Sequence, residues 1–224
     1  MDNTSAKIIP QIKAQELMPL FYHEDIDVCI SVIDALYNAG IRQVEFTNRG
    51  AMALSHFTSL MALKEAKWPG LLLGIGTIKS KEAATSFLQA GADFVVSPGM
   101  DPKVGEIVHL SGKLWIPGCM TATEVMLAEQ HGAQMVKLFP GSLLGPGYLK
   151  ALREIFPKID FMVTGGVELT ETNIGAWRKA GAAVIGLGSK LISTEALASK
   201  DYSGITTNTL AVVEILQKLR KGDG

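Results

Sequence analysis

Cysteine is scarce in this chain. Cys29 and Cys119 are the two in 224 residues, and they stand in no metal-binding or redox spacing. A disulfide framework is excluded, and a reduced, cytoplasmic setting is the expected one. Histidine is thin as well. His23, His56, His109 and His131 are scattered, and no pair has the helical spacing of metal ligands. Charge of one sign is missing too. The formal net charge is −1, so no long-range field gathers nucleic acid or an anionic membrane surface. No apolar run is long enough to span a bilayer. Residues 1–15 lack the apolar core and small-residue cleavage site of a secretory leader.

What is present is a globular composition, 47% hydrophobic and 19% charged, in a length that fits one domain over residues 1–224 with a large core. One pattern recurs. A helical segment ends in a glycine, preceded by alanine in three copies of four, and a short apolar run follows at once. It occurs at Ala39-Gly40 before Ile41–Phe46, at Ala90-Gly91 before Ala92–Val96, at His131-Gly132 before Ala133–Leu138, and at Ala180-Gly181 before Ala182–Gly186. Glycine closes a helix in the left-handed conformation, and a strand begins directly after it. The copies lie about 40–50 residues apart, about two βα units of an α/β barrel. Further apolar runs at Leu17–Phe21, Leu71–Ile75, Leu114–Pro117 and Asp160–Val163 bring the strands to eight, with helical stretches between them. Strict alternation predicts a parallel sheet, and eight units predict a closed (β/α)8 TIM barrel. Thr4–Gln15 reads as an extra N-terminal helix that Pro10 bends or shortens. Ile205–Arg220 reads as a C-terminal helix with an apolar stripe at Leu210, Val213, Leu216 and Leu219.

In such a barrel the strand C-termini and the loops after them carry function. Lys137 is the odd residue there, a cation inside the apolar run Met135–Phe139. Alternation puts Met135, Lys137 and Phe139 on one side. An apolar enclosure favours the uncharged amine, the nucleophile for carbonyl groups; a lysine whose stem is buried and whose head reaches the rim is the plainer alternative. Alternation likewise groups Gln43, Glu45 and Thr47, and Glu45 can move protons as acid and base or serve as a structural carboxylate. Arg49 in the following loop suits a substrate carboxylate. Thr164-Gly165-Gly166-Val167 and Gly186-Leu187-Gly188-Ser189 follow the last two strands, where barrels often cradle phosphate with backbone N–H groups. Gly74-Ile75-Gly76-Thr77 is no dinucleotide fingerprint; its glycines clear space or make a tight turn, and Thr77 offers a hydroxyl. Ser97-Pro98-Gly99 and Pro117-Gly118 shape the rim. Cys119 is a bystander, and His23 and Glu24 form a solvated loop. From these residues alone, a phosphosugar isomerase, epimerase or synthase and a non-catalytic metabolite-binding barrel both remain open.

The ordered set Glu45–Arg49, Gly74–Thr77, Ser97–Gly99, Val136–Pro140, Thr164–Gly166 and Gly186–Ser189 resembles the KDPG/KHG aldolases, over about Leu17 to Ile192. These are the 2-dehydro-3-deoxy-phosphogluconate and 4-hydroxy-2-oxoglutarate aldolases. The resemblance implies a metal-free and cofactor-free class I lyase working as a homotrimer. It implies Lys137 as the Schiff-base lysine and Glu45 as the acid/base, acting through water. Arg49 and Thr77 would hold the pyruvate-derived carboxylate, and Gly165, Gly166 and Ser189 the phosphate. Pro98, Thr164 and Gly188 complete the expected substrate-binding set. Tyr22, Asn48 and Ala122 depart from the family pattern; Tyr22 and Asn48 change the donors near the distal end of the substrate and point to an altered sugar-acid preference.

Overall fold

A computed structural model describes residues 4–222, with side chains from 7 to 221. The first three residues of the segment read above for a leader lie outside it. In chain order the elements are α1 Thr4–Gln15, β1 Leu17–Phe21, α2 Ile26–Asn38, β2 Gln43–Thr47, α3 Ala53–Lys67, β3 Leu72–Gly76, α4 Lys81–Gln89, β4 Phe94–Val96, α5 Pro102–Leu110, β5 Leu114–Ile116, β6 Gly118–Cys119, α6 Ala122–Gln130, β7 Met135–Leu138, α7 Gly141–Ile155, β8 Asp160–Thr164, α8 Glu171–Lys179, β9 Ala182–Leu187, α9 Thr194–Ser199 and α10 Tyr202–Gly222. All strand pairs are parallel, in the order β5-β4-β3-β2-β1-β9-β8-β7-β6. The two outer segments of that order, β5 and β6, are consecutive in the chain and flank Pro117. They are the fifth barrel strand, interrupted where proline has no N–H to give. The Pro117 carbonyl still accepts the Lys137 N–H at 2.8 Å. The sheet is thus an eight-position α/β barrel.

The four helix-ending glycines all take positive φ, +88° at Gly40, +99° at Gly91, +80° at Gly132 and +101° at Gly181. Each closes its helix, and the next strand begins directly after Gly181 and three positions after Gly40, Gly91 and Gly132, as the repeated pattern requires. Helix starts are fixed by side chains. Asp25, Ser80, Asp101, Thr121 and Thr170 each accept a backbone N–H from the first turn that follows, satisfying donors that the helix itself leaves free.

Alternation sorts the strand residues into two cores. Val44, Phe46, Leu73, Ile75, Val95, Trp115, Val136, Leu138, Phe161, Val163, Ile185 and Leu187 point outward and pack against the helices. Met18, Phe94, Val96, Leu114, Ile116, Met135, Met162 and Val184 point inward and fill the lower barrel with Ile8, Ile9 and Ile12 of α1. The N-terminal helix therefore plugs the barrel floor. Each of its buried isoleucines contributes about 1.5–3 kcal/mol.

Several expectations are corrected. Helix α1 runs unbroken across Pro10. Helix α10 buries Ile205, Thr209, Val212 and Leu216, while Leu210 of the expected stripe is 49% exposed; the helix packs on α2, α8 and α9, and that geometry turns the buried face. Helix α7 begins at Gly141, and a kink at Gly145 (φ 74°, ψ 163°) joins two helical pieces within it. Among the described residues no helix is long and apolar enough to cross a membrane.

Candidate active site

Above the apolar floor the barrel interior turns polar. On β7 the inward residue above Met135 is Lys137, 5% exposed, and on β2 it is Glu45, with no exposure at all. Lys137 Nζ lies 3.7 Å from Glu45 Oε1, near enough for charge attraction and too far for a hydrogen bond. Neither carboxylate oxygen of Glu45 has a hydrogen-bond partner. The Lys137 ammonium also stands 5.4 Å from the centre of the Phe139 ring.

Room for Glu45 comes from the neighbouring strand. Gly74 and Gly76 of β3 are in register with Glu45 and Thr47. A Cβ on Gly76 would overlap Glu45 Oε1, and one on Gly74 would overlap the Phe94 ring. These glycines clear space. Thr77, next in the chain, has φ +60°, an uncommon conformation for a β-branched residue and one that clusters at functional sites. Pro98 sits over Gly118, where a Cβ would strike the Pro98 carbonyl; Gly118 in turn pairs with Lys137 across β6 and β7. Pro98 and Thr77 thus stand at the ends of β4 and β3, beside the Lys137 and Glu45 positions.

The other expected residues converge on a cleft of about 310 Å³ at the C-terminal mouth. Arg49, Thr164, Gly165, Gly166, Gly188 and Ser189 all line it. Gly165 and Gly166 have φ of +92° and +75°. The Ser142 N–H donates to the Gly165 carbonyl at 2.8 Å, and a Cβ on Gly166 would overlap Ser142; the α7 start thus fixes this loop from beneath. The N–H groups of Gly166 and Ser189 meet no acceptor among the described residues. Thr164 Oγ1 is buried without a partner, and only the lack of a side chain at Gly186 leaves space for it. Lys137, Glu45, Thr77 and Pro98 are not part of the cleft lining. The site has two levels, a buried amine–carboxylate pair and a glycine-walled mouth.

Sequence reasoning missed part of the mouth. Lys190, Ile192, Thr194 and Leu197 also line it, carried by the turn after β9 and by the short α9. Ser193 Oγ accepts the Ala196 N–H at 3.1 Å, so Ser193-Thr194-Glu195 was a readable helix start. Of the three departures from the family pattern, Tyr22 lines the mouth, and Asn48 and Ala122 do not. His23 and Glu24 stand outside it, His23 Nδ1 accepting the Asp25 N–H. The Cys119 thiol lies in the outer core between barrel and helices, where burial pushes it up to about 12. Among the described residues no three His, Cys, Asp or Glu side chains gather as a metal site.

A lysine and a carboxylate enclosed near the C-terminal ends of parallel strands, with a glycine-lined mouth above them, define an α/β-barrel enzyme. The family model for KDPG and KHG aldolase matches residues 8–208, and the chain belongs to that family. It is 30% identical over 213 residues to a 2-dehydro-3-deoxy-phosphogluconate aldolase of Treponema pallidum, covering 93% of this chain and 99% of that one. It is 34% identical over 166 residues to a 2-dehydro-3-deoxy-6-phosphogalactonate aldolase of Escherichia coli, covering 74% and 78%. Among solved structures it is similar to a KDPG aldolase from Legionella pneumophila, in which pyruvate was captured as a covalent carbinolamine. That likeness has a TM-score of 0.83 and 26% identity, covering 95% of this chain and 98% of that one.

Proposed function

We propose that this chain is a class I aldolase that cleaves a 2-keto-3-deoxy-6-phospho sugar acid to pyruvate and glyceraldehyde 3-phosphate, and/or 4-hydroxy-2-oxoglutarate to pyruvate and glyoxylate. The observation that carries the reading is the enclosed Lys137 beside a Glu45 carboxylate whose oxygens have no other partner.

In this reading the Lys137 ammonium passes a proton to the Glu45 carboxylate beside it, and the resulting amine attacks the C2 carbonyl of the keto acid and forms a carbinolamine. Glu45, directly or through water, protonates the departing hydroxyl, which leaves as water, and a protonated imine remains. Glu45 then takes the C4 hydroxyl proton. The C3–C4 bond breaks, its electron pair moves into the imine to give an enamine, and C4 departs as the aldehyde. Glu45 returns a proton to C3, and hydrolysis of the imine frees pyruvate and Lys137. Arg49 and Thr77 hold the carboxylate, and Gly165, Gly166 and Ser189 take the phosphate. Thr164, Pro98 and Gly188 shape the path between the two levels. The captured carbinolamine of the Legionella relative supports this chemistry.

The same reading takes residues 1–224 as one barrel domain acting in the cytoplasm without a cofactor, as a homotrimer. Apolar side chains exposed around the mouth, Met120 at 42%, Phe139 at 38% and Leu143 at 73%, offer surface for contact between copies. Light scattering of the purified protein should give three times the 24.0 kDa chain mass. The decisive test is borohydride reduction in the presence of pyruvate, followed by peptide mapping by mass spectrometry. The expected result is one reduced adduct, on Lys137. Folded protein with no adduct overturns the reading.

A further inference from the structure

The mouth has two cationic side chains in its lining, Arg49 and Lys190, and no anionic one. They come from different loops, Arg49 after β2 and Lys190 after β9. Lys190 is the cation adjacent to the glycine loops. The Gly188 carbonyl accepts the N–H groups of both Leu191 and Ile192 at 2.9 Å, a tight turn with Ser189 and Lys190 at its corner.

Lys190 is already engaged. Its Nζ lies 3.0 Å from Glu168 Oε1, with the two side chains 54% and 49% exposed. Glu168 belongs to the loop that continues from Gly165 and Gly166. That loop is held in place, because the Glu168 N–H donates to Asn173 Oδ1 at 3.0 Å and the Asn173 N–H donates to Thr170 Oγ1 at 3.3 Å. The ion pair therefore joins the two glycine loops. An exposed pair of this kind contributes only about 0–1 kcal/mol. A phosphate carries more charge and three acceptor oxygens, and it would also meet the free N–H groups of Gly166 and Ser189.

We propose that Lys190 is the charge partner of the substrate's phosphate and that Glu168 is its resting counterion, exchanged for phosphate on binding and restored on release. The pair sets the preference for phosphorylated over unphosphorylated keto acids. This rests on the phosphate-end assignment made above and adds to it the two residues that tune it. Lys190 supplies specific attraction. Glu168 opposes it by competing for the same ammonium, so the two substitutions act in opposite directions. A pair serving only to hold the loops together would make both substitutions weaken binding alike.

The test uses the purified full chain and inorganic phosphate as probe, with binding followed by calorimetry, which needs no turnover. Lys190→Met should weaken phosphate binding roughly tenfold, the scale of a charge-assisted hydrogen bond. Lys190→Arg should recover most of it, and Glu168→Gln should tighten it. In steady-state cleavage, Lys190→Met should lower the ratio of kcat/KM for the phosphorylated sugar acid to that for 4-hydroxy-2-oxoglutarate by a similar factor, through KM more than kcat. Equal losses on both substrates, or weaker phosphate binding in Glu168→Gln, overturn the proposal while leaving the phosphate site in place. A parent protein that binds no phosphate and favours neither substrate overturns the phosphate assignment itself.

Discussion

Gly76 stands against Glu45 so closely that a single methyl group on Gly76 would overlap the Glu45 Oε1 atom. The acidic group is held beside Lys137 by the absence of a neighbour's side chain. Because the clash falls on the end of a flexible side chain, Gly76→Ala should fold and displace the carboxylate. We expect kcat to fall about 10²–10⁴-fold, the range of general acid–base contributions, with a near-native circular dichroism spectrum. A Gly76→Ala enzyme of full activity would show that Glu45 is not held in this way.

The same carboxylate ties chemistry to stability. Lys137→Met removes the cation 3.7 Å from a fully buried Glu45. Breaking a buried pair by removing one partner costs roughly 3–5 kcal/mol. Urea denaturation should show a loss of that order in the single variant, and Lys137→Met/Glu45→Gln should regain most of it. A double variant no more stable than the single would mean that the pair contributes nothing to the fold. Both variants should lack the pyruvate adduct.

Away from the site, Asp93 Oδ2 accepts Lys64 Nζ at 2.8 Å and the Leu73 N–H at 2.7 Å, joining α3 to β3 and β4 through one largely buried carboxylate. Asp93→Ala leaves a cation and a strand N–H without it. A loss of roughly 3–5 kcal/mol is expected in urea, with kcat per folded molecule preserved. A change in KM or kcat without a change in stability would contradict this structural role.

The two thiols should be silent in the folded protein. Burial pushes Cys29 up to about 11 and Cys119 up to about 12. Thiolate is the reactive form, so iodoacetamide at pH 8 should label neither until the chain unfolds. The sign for stability follows. The folded state keeps protons that the unfolded state releases near the ordinary thiol value of about 9.0. The thiols therefore stabilise fully below that pH, and their contribution is lost as pH climbs towards about 11 and 12. Substituting both cysteines by alanine should flatten the alkaline limb of the stability curve.

The barrel was legible because Gly40, Gly91, Gly132 and Gly181 mark helix ends by a backbone requirement that other residues meet poorly. Lys137 and Glu45 were legible because a charge in an apolar strand contradicts its surroundings. The kink in α7 was not, since Gly145-Pro146-Gly147 has the composition of a turn and its helical flanks are held by the rest of the barrel. Leu210 misled because apolar spacing fixes a stripe only when the packing partner is known. The Lys190–Glu168 pair joins two loops 22 positions apart, a distance that local patterns do not span. Clearing of space was one of two readings of Gly-Ile-Gly-Thr; that the space at Gly76 is taken by Glu45 depends on packing between strands that nothing local reveals.

With Ile8, Ile9 and Ile12 closing the floor, the barrel is a blind shaft. Whatever reaches Lys137 must enter at the mouth and depart by it. In the proposed reaction the aldehyde fragment would leave on the mouth side of an imine at Lys137, in the path of the water that hydrolyses it. Departure is then sequential, aldehyde first and pyruvate last. In the synthetic direction the order reverses, with pyruvate loading before its partner, and pyruvate alone should act as a competitive product inhibitor of cleavage.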